Sequence, residues 1–189
     1  MQPVDKPRLA GDGVVWLLVL VELLTFGLLF VAFAFARWRE PDVFAQGQGA
    51  LSLSTGALNT LLLVGASWCA ARAVYAFRQD RSASGVRWLF GAFFGAVGFL
   101  VVKSNEFAGK IAAGFDWATN SFTILYTLLT GFHFLHVLVG ALVFAVLSWK
   151  ARQGAYGPAK LNGPESGAVF WHMVDLLWMV LFPLVYVIR

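Results

Sequence analysis

Residues 121–147, SFTILYTLLTGFHFLHVLVGALVFAVL, run for 27 positions without a Lys, Arg, Asp or Glu. At about 1.5 Å per residue, such a stretch crosses a hydrocarbon core of about 30 Å as one helix. Two histidines, His133 and His136, interrupt it near the middle. Residues three apart lie on neighbouring positions of a helix surface, so the two rings are expected to point the same way. An imidazole at bilayer depth is tolerated where it faces protein rather than lipid. The remainder of the chain must therefore supply helices for these rings to touch.

Composition agrees with a membrane bundle. Of 189 residues, 59% are apolar and 13% charged, about half the charge of a soluble domain. The fold class expected is all-α, a single polytopic bundle rather than two domains. The net charge of +4 belongs to loops at a membrane surface, and nothing indicates nucleic-acid binding. One cysteine, Cys69, excludes an internal disulfide, a C-x-x-C-H haem attachment and a multi-cysteine metal or cluster site. Three histidines, His133, His136 and His172, are too few for a subunit holding several haems and a copper. Redox centres are expected in a partner, with no cofactor or metal in this chain.

Five membrane-spanning helices are expected, at about 14–36, 53–77, 86–113, 117–148 and 165–188. Ala34-Phe35-Ala36 has the form of a signal-peptide cleavage site. The preceding apolar run is too long for that role and carries Glu22, so a retained helix is expected. Residues 37–50 read as a polar loop with Pro41 and several turn formers, and Trp38 fits the interfacial belt. In the second helix Gly65, Cys69 and Ala73 recur every four residues, as do Ala66 and Ala70. Gly91 and Gly95 form a G-x-x-x-G in the third. Such small-residue ladders admit close helix approach. Gly114-Phe115-Asp116 reads as a turn, and residues 150–164 as a basic, Gly- and Pro-rich loop.

Ionisable residues inside these segments are the candidate sites. Lys103, Glu106 and Lys110 are spaced three and four apart and form a Lys–Glu–Lys ladder. It reads as an ion-paired stripe that lets a charged helix cross, or alternatively as a proton site at Glu106. His172 and Asp175 are three apart, with Glu165 two turns earlier. Such a pair fixes a ring's tautomer and locks packing more often than it moves protons. His-x-x-His and His-x-x-Asp also resemble inputs of a carboxylate-bridged di-iron bundle, but neither helix supplies the Glu-x-x-His those sites use. The reading is therefore of polar clasps between the helix of His133 and His136 and the helix of Glu165, His172 and Asp175.

At these residues the chain resembles the cytochrome c oxidase subunit III family. Residues 130–140, TGFHFLHVLVG, resemble its T-G-F-H-x-L-H-V-x-x-G signature. Residues 165–178, ESGAVFWHMVDLLW, resemble its E-x-x-x-x-x-W-H-x-V-D-x-x-W signature. Glu22 sits where the family's S-E-x-x-F-F segment carries its acid. Leu58-Asn59-Thr60 resembles its L-N-T, and Ser104-Asn105-Glu106-Phe107 its S-E-Y/F region. The resemblance singles out Glu22, Asn59, Glu106, His133, His136, Glu165, His172 and Asp175 as buried polar family positions, and none as catalytic. It implies a five-helix form lacking the first two helices of the long form. In the long form a cleft between those helices and the other five holds phospholipid. One wall of that cleft is missing here, and phospholipid stays a candidate ligand.

The resemblance implies a non-catalytic, multi-pass subunit of the cell's inner (plasma) membrane, partnered by a haem-bearing catalytic subunit and lipid. Phe134 and the ending of residues 178–186, WMVLFPLVY, look most like the nitric oxide reductase branch, implying a role in denitrification. The alternative within the superfamily is subunit III of an oxygen-reducing cytochrome c or quinol oxidase. A small transporter or metal-binding membrane protein is the alternative of another class.

Nine basic residues fall on the N-terminal side (Lys6, Arg8, Arg72, Arg78, Arg81, Arg87, Lys150, Arg152 and Lys160) and five on the other (Arg37, Arg39, Lys103, Lys110 and Arg189). The positive-inside rule then predicts an inside N-terminus and an outside C-terminus. Topology reporters fused after Arg87 and after Arg189 should report opposite sides of the membrane. Signals from the same side would refute five spans.

Overall fold

The computed structural model describes residues 9–112, 114 and 118–188. Phe115 and Asp116 of the expected turn, Lys6 and Arg8 of the leading tail, and Arg189 lie outside the described residues. Five helices are long and apolar enough to cross a membrane. They are α1 (Gly13–Arg39), α3 (Leu53–Arg78), α4 (Ser82–Ala112), α5 (Ser121–Arg152) and α6 (Asn162–Phe182), the last continued by a wider turn at Pro183–Val187. Between α1 and α3 lies a short helix, α2 (Pro41–Gly49).

The helix ends follow local chemistry. Asp12 caps α1 by accepting from the Val14 N–H at 2.9 Å. Asn120 caps α5: its side chain accepts from the Thr123 N–H, while the Thr123 hydroxyl meets the Asn120 N–H and carbonyl. This capping box starts α5 at Ser121 rather than near 117, since it satisfies N–H groups that a helix start leaves open. The helix then runs to Arg152, past the expected 148, because Lys150 and Arg152 can carry their charges outward from the last turn.

Pro183 has no N–H to give the α-helical ladder. The ladder widens there, and the Ile188 N–H donates to the Pro183 carbonyl at 2.9 Å. Residues 41–49 are a helix and not the loop that their Pro and Gly content predicts. Pro41 occupies the first turn, where an N–H is dispensable, and Phe44 is buried against Phe33 and Phe122 at ring separations of 5.0 and 5.5 Å.

Helices α3, α4, α5 and α6 neighbour one another in that order and close into a four-helix ring, with α1 packed outside against α5 and α6. The α3–α4 contact is the most extensive, and small residues explain it. A Cβ on Gly95 would lie 2.8 Å from the Ala66 Cβ and 3.1 Å from the Leu62 carbonyl oxygen, and one on Gly91 would lie 3.0 Å from Cys69 Sγ. Lipid gives apolar side chains no reason to prefer one another, so backbone-to-backbone proximity carries association. Of the expected ladder, Ala66, Ala70 and Ala73 are buried, whereas Gly65 faces outward with open space around it.

This contrast is testable. Gly95→Val should destabilise the bundle by about 1–3 kcal/mol through overpacking, while Gly65→Val should leave the unfolding midpoint in detergent nearly unchanged. Equal behaviour of the two variants would refute this account of the α3–α4 contact.

Candidate functional site

The ionisable ladder of α4 holds together at the end of the bundle that carries the C-terminus. Lys103 is completely buried. Its ammonium donates to Glu106 Oε2 at 3.0 Å, to the Tyr126 hydroxyl at 3.1 Å and to the Tyr186 hydroxyl at 2.7 Å. An ammonium has three N–H groups, and all three are used. Glu106 Oε1 accepts from the Tyr126 hydroxyl at 2.7 Å and the Tyr186 hydroxyl at 3.3 Å, and lies 3.3 Å from Lys110 Nζ. Lys110 donates to the same Tyr126 hydroxyl at 2.7 Å. The spacing of Lys103, Glu106 and Lys110 thus yields the expected ion-paired stripe.

Tyr126 of α5 and Tyr186 of the terminal turn complete the stripe, and reading from spacing alone missed both. Their signal was chemical: a buried tyrosine hydroxyl needs a partner. At the same end, buried Gln48 of α2 directs its amide nitrogen at the carbonyls of Leu184, Val185 and Ile188, at 3.2, 3.0 and 3.0 Å.

The two histidines of α5 part company, contrary to the expectation that they point one way. Three residues on a helix fall about 60° short of a full turn, and α5 is flanked on two sides. His133 faces the ring interior, fully buried, with Phe99 of α4 at 5.5 Å and Trp178 of α6 at 5.0 Å between ring centres. Neither of its nitrogens has a hydrogen-bonding partner among the described residues. Asn59 on α3 is likewise buried and unpartnered there. Its neighbour Thr60 accepts from the Trp178 indole N–H at 2.9 Å.

His136 faces α1 instead. Its Nδ1 lies 2.7 Å from the Phe132 carbonyl and its Nε2 lies 3.2 Å from Glu22 Oε2. A carbonyl only accepts, so Nδ1 carries a hydrogen. The Glu22 carboxylate and the His136 ring thus tie α1 to α5.

The residues of α6 turn mainly to α3, which corrects the clasp with α5 expected from sequence. Buried Glu165 accepts from Arg78 at 2.8 Å and from the Gly11 N–H at 3.2 Å, and the Asp12 N–H donates to Ser166 at 3.0 Å. His172 Nδ1 lies 2.6 Å from the Ser67 hydroxyl, and His172 is otherwise exposed at the bundle surface. Asp175 interacts with Ser67 and His172, and its Oδ1 is buried without a hydrogen-bond donor among the described residues. The fourth and fifth spans do pack together, through apolar contacts such as Phe144 on Trp171 at 5.0 Å. Their polar groups reach past one another because His136 and His172 lie towards the outer flanks of the ring.

The eight positions therefore form separate clusters and not one cavity. Among the described residues, no three His, Cys, Asp or Glu side chains come together as a metal site. Chemically, most of these groups tie one helix to the next: α4 to α5 and the chain end, α5 to α1, and α6 to α3 and the leading segment.

Removing one member of a buried charge cluster is costlier than replacing the cluster by apolar groups. Glu106→Gln, which leaves Lys103 and Lys110 without their carboxylate, should lower stability by about 3–5 kcal/mol. Adding Lys103→Met to it should recover part of that loss. Thermal unfolding in detergent of the two single variants and the double variant measures the coupling. Additive losses would show that the charges do not depend on one another.

The cytochrome c oxidase subunit III family model matches residues 12–188. A cytochrome c oxidase subunit 3 from Synechocystis is 34% identical over 96% of this chain and 77% of its own length. Another from Thermostichus vulcanus is 32% identical over 88% of this chain and 82% of its own. A protein from Aeropyrum pernix named heme-copper oxidase subunit I+III is 28% identical over 98% of this chain and 23% of its own. With the match running from the cap of α1 to the terminal turn, and most of its motif residues forming ties between helices, this chain belongs to the cytochrome c oxidase subunit III family.

Proposed function

We propose that this chain is a non-catalytic membrane subunit that supports the assembly and stability of a catalytic, haem-bearing subunit in an oxygen-reducing cytochrome c or quinol oxidase. The observation that carries this reading is the family match over residues 12–188, taken with where the motif residues go. Glu106, His136, Glu165 and His172 all bind within the chain. Groups engaged in this way are suited to building a rigid surface and not to turning over a substrate. The heme-copper oxidase I+III of Aeropyrum pernix carries both subunit designations in one name, which supports subunit I as the neighbour of this chain. Haem and metals would then reside in that neighbour, and the site of action would be the cell's inner membrane.

The sequence ending had favoured the nitric oxide reductase branch. The relatives described above are named as oxidase subunits, and they favour the oxygen-reducing alternative. Affinity purification of the tagged chain from native membranes in mild detergent tests the proposal. A co-purifying haem protein that consumes oxygen is the expected result. A partner that consumes nitric oxide and not oxygen would restore the denitrification reading. About one tightly bound iron or copper per isolated chain would instead favour a metal-binding protein.

A further inference from the structure

A groove of about 350 Å³ opens between α3 and α4 near the N-terminal end of the bundle, lined by Cys69, Ser84, Arg87, Trp88 and Gly91. It is separate from the clusters described above, and its chemistry changes with depth. Along α4, Ser84 and Arg87 lie about 3 and 8 Å from the helix start and Gly91 about 14 Å. Along α3, Cys69 lies about 14 Å from the helix end at Arg78. The hydroxyl, the guanidinium and the adjacent Trp88 indole are thus nearer the rim, and the thiol and glycine lie deeper.

A second cation borders the rim. The Arg72 guanidinium lies 5.6 Å from the Trp88 ring centre and 5.5 Å from that of Tyr75. Neither Arg72 nor Arg87 pairs with a carboxylate among the described residues. Trp68 and Trp88 meet edge to face at 4.8 Å, the kind of indole pair that sits at a membrane–water boundary. Below the groove, exposed Phe94 continues the stripe of Ser84, Arg87 and Gly91 along α4.

We infer that this groove holds the headgroup of an anionic glycerophospholipid from the leaflet on the N-terminal side. Its phosphate sits between Arg72 and Arg87, the Ser84 hydroxyl donates to it, and an acyl chain runs past Gly91 towards Phe94. Guanidinium groups bind phosphate through paired, charge-assisted hydrogen bonds, and two cations without carboxylates complement an anion. The volume suits one headgroup and glycerol and is too small for a helix. The depth profile, with charge at the rim and an apolar floor, is that of a lipid and not of a free ion. This assignment is independent of which oxidase the chain serves.

The test uses the full chain in nanodiscs of phosphatidylcholine doped with phosphatidylglycerol, followed by native mass spectrometry of retained lipid. The wild type should retain one phosphatidylglycerol in preference to phosphatidylcholine. Arg72→Gln and Arg87→Gln should each reduce that preference about fivefold, Arg87→Lys should retain most of it, and Arg37→Gln at the opposite end should not affect it. A phosphatidylglycerol with a photoreactive acyl chain should crosslink to the peptide containing Trp88 and Gly91. Equal retention of the two lipids would overturn the proposal. So would selectivity that ignores both arginines, crosslinks confined to other helices, or displacement of the lipid by inorganic phosphate.

Discussion

Hydrocarbon offers no water to a polar atom, and the fold is arranged around meeting that constraint at Lys103. A wholly buried ammonium has to find three acceptors. One comes from its own helix in Glu106, one from α5 in Tyr126 and one from the chain end in Tyr186. Once those three are in place, the angular setting of α4 against α5 and the position of the terminal turn follow. The wider turn at Pro183 brings Tyr186 to the ring interior, and Gln48 occupies carbonyls that the altered ladder leaves open. A proline, a glutamine and two tyrosines thus serve one buried charge.

The opposite demand, close approach without polar attraction, is met by residues with almost no side chain. The α3–α4 seam uses Ala66 and Cys69 against Gly95 and Gly91, and the α5–α6 seam sets Gly140 against the ring of Trp171, where a Cβ would come within 2.6 Å. Polar ties and small-residue seams divide the work. The seams set how near two helices lie, and the ties set which rotation about the helix axis is kept.

Much of this was legible in the residues. Five spans and the ladder of Lys103, Glu106 and Lys110 follow from hydropathy and spacing, whereas of the eight polar positions expected to be buried Asn59, His133 and Glu165 are so and His172 is exposed. Partner choice was not legible. Spacing says that two side chains share a face of one helix but does not say which neighbour that face meets, and a difference of about 60° sent His133 and His136 to different neighbours. Helix α2 was hidden for another reason. Its nine residues, PDVFAQGQG, carry one large aromatic and no repeating apolar pattern. They are helical because Phe44 is buried beside Phe33 and Phe122, which is information held in distant parts of the chain.

The long reach of two of these ties bears on the order in which the molecule can be completed. Gln48 meets acceptors 136 to 140 residues downstream, and Gly11 meets Glu165 at a separation of 154. A ribosome releases the early partners of both ties long before the late ones exist. The helices of α1 to α5 can enter the membrane while each end of the bundle is still open. Both ends close only when α6 and the turn after it emerge, so those segments decide whether chain already inserted can complete its packing.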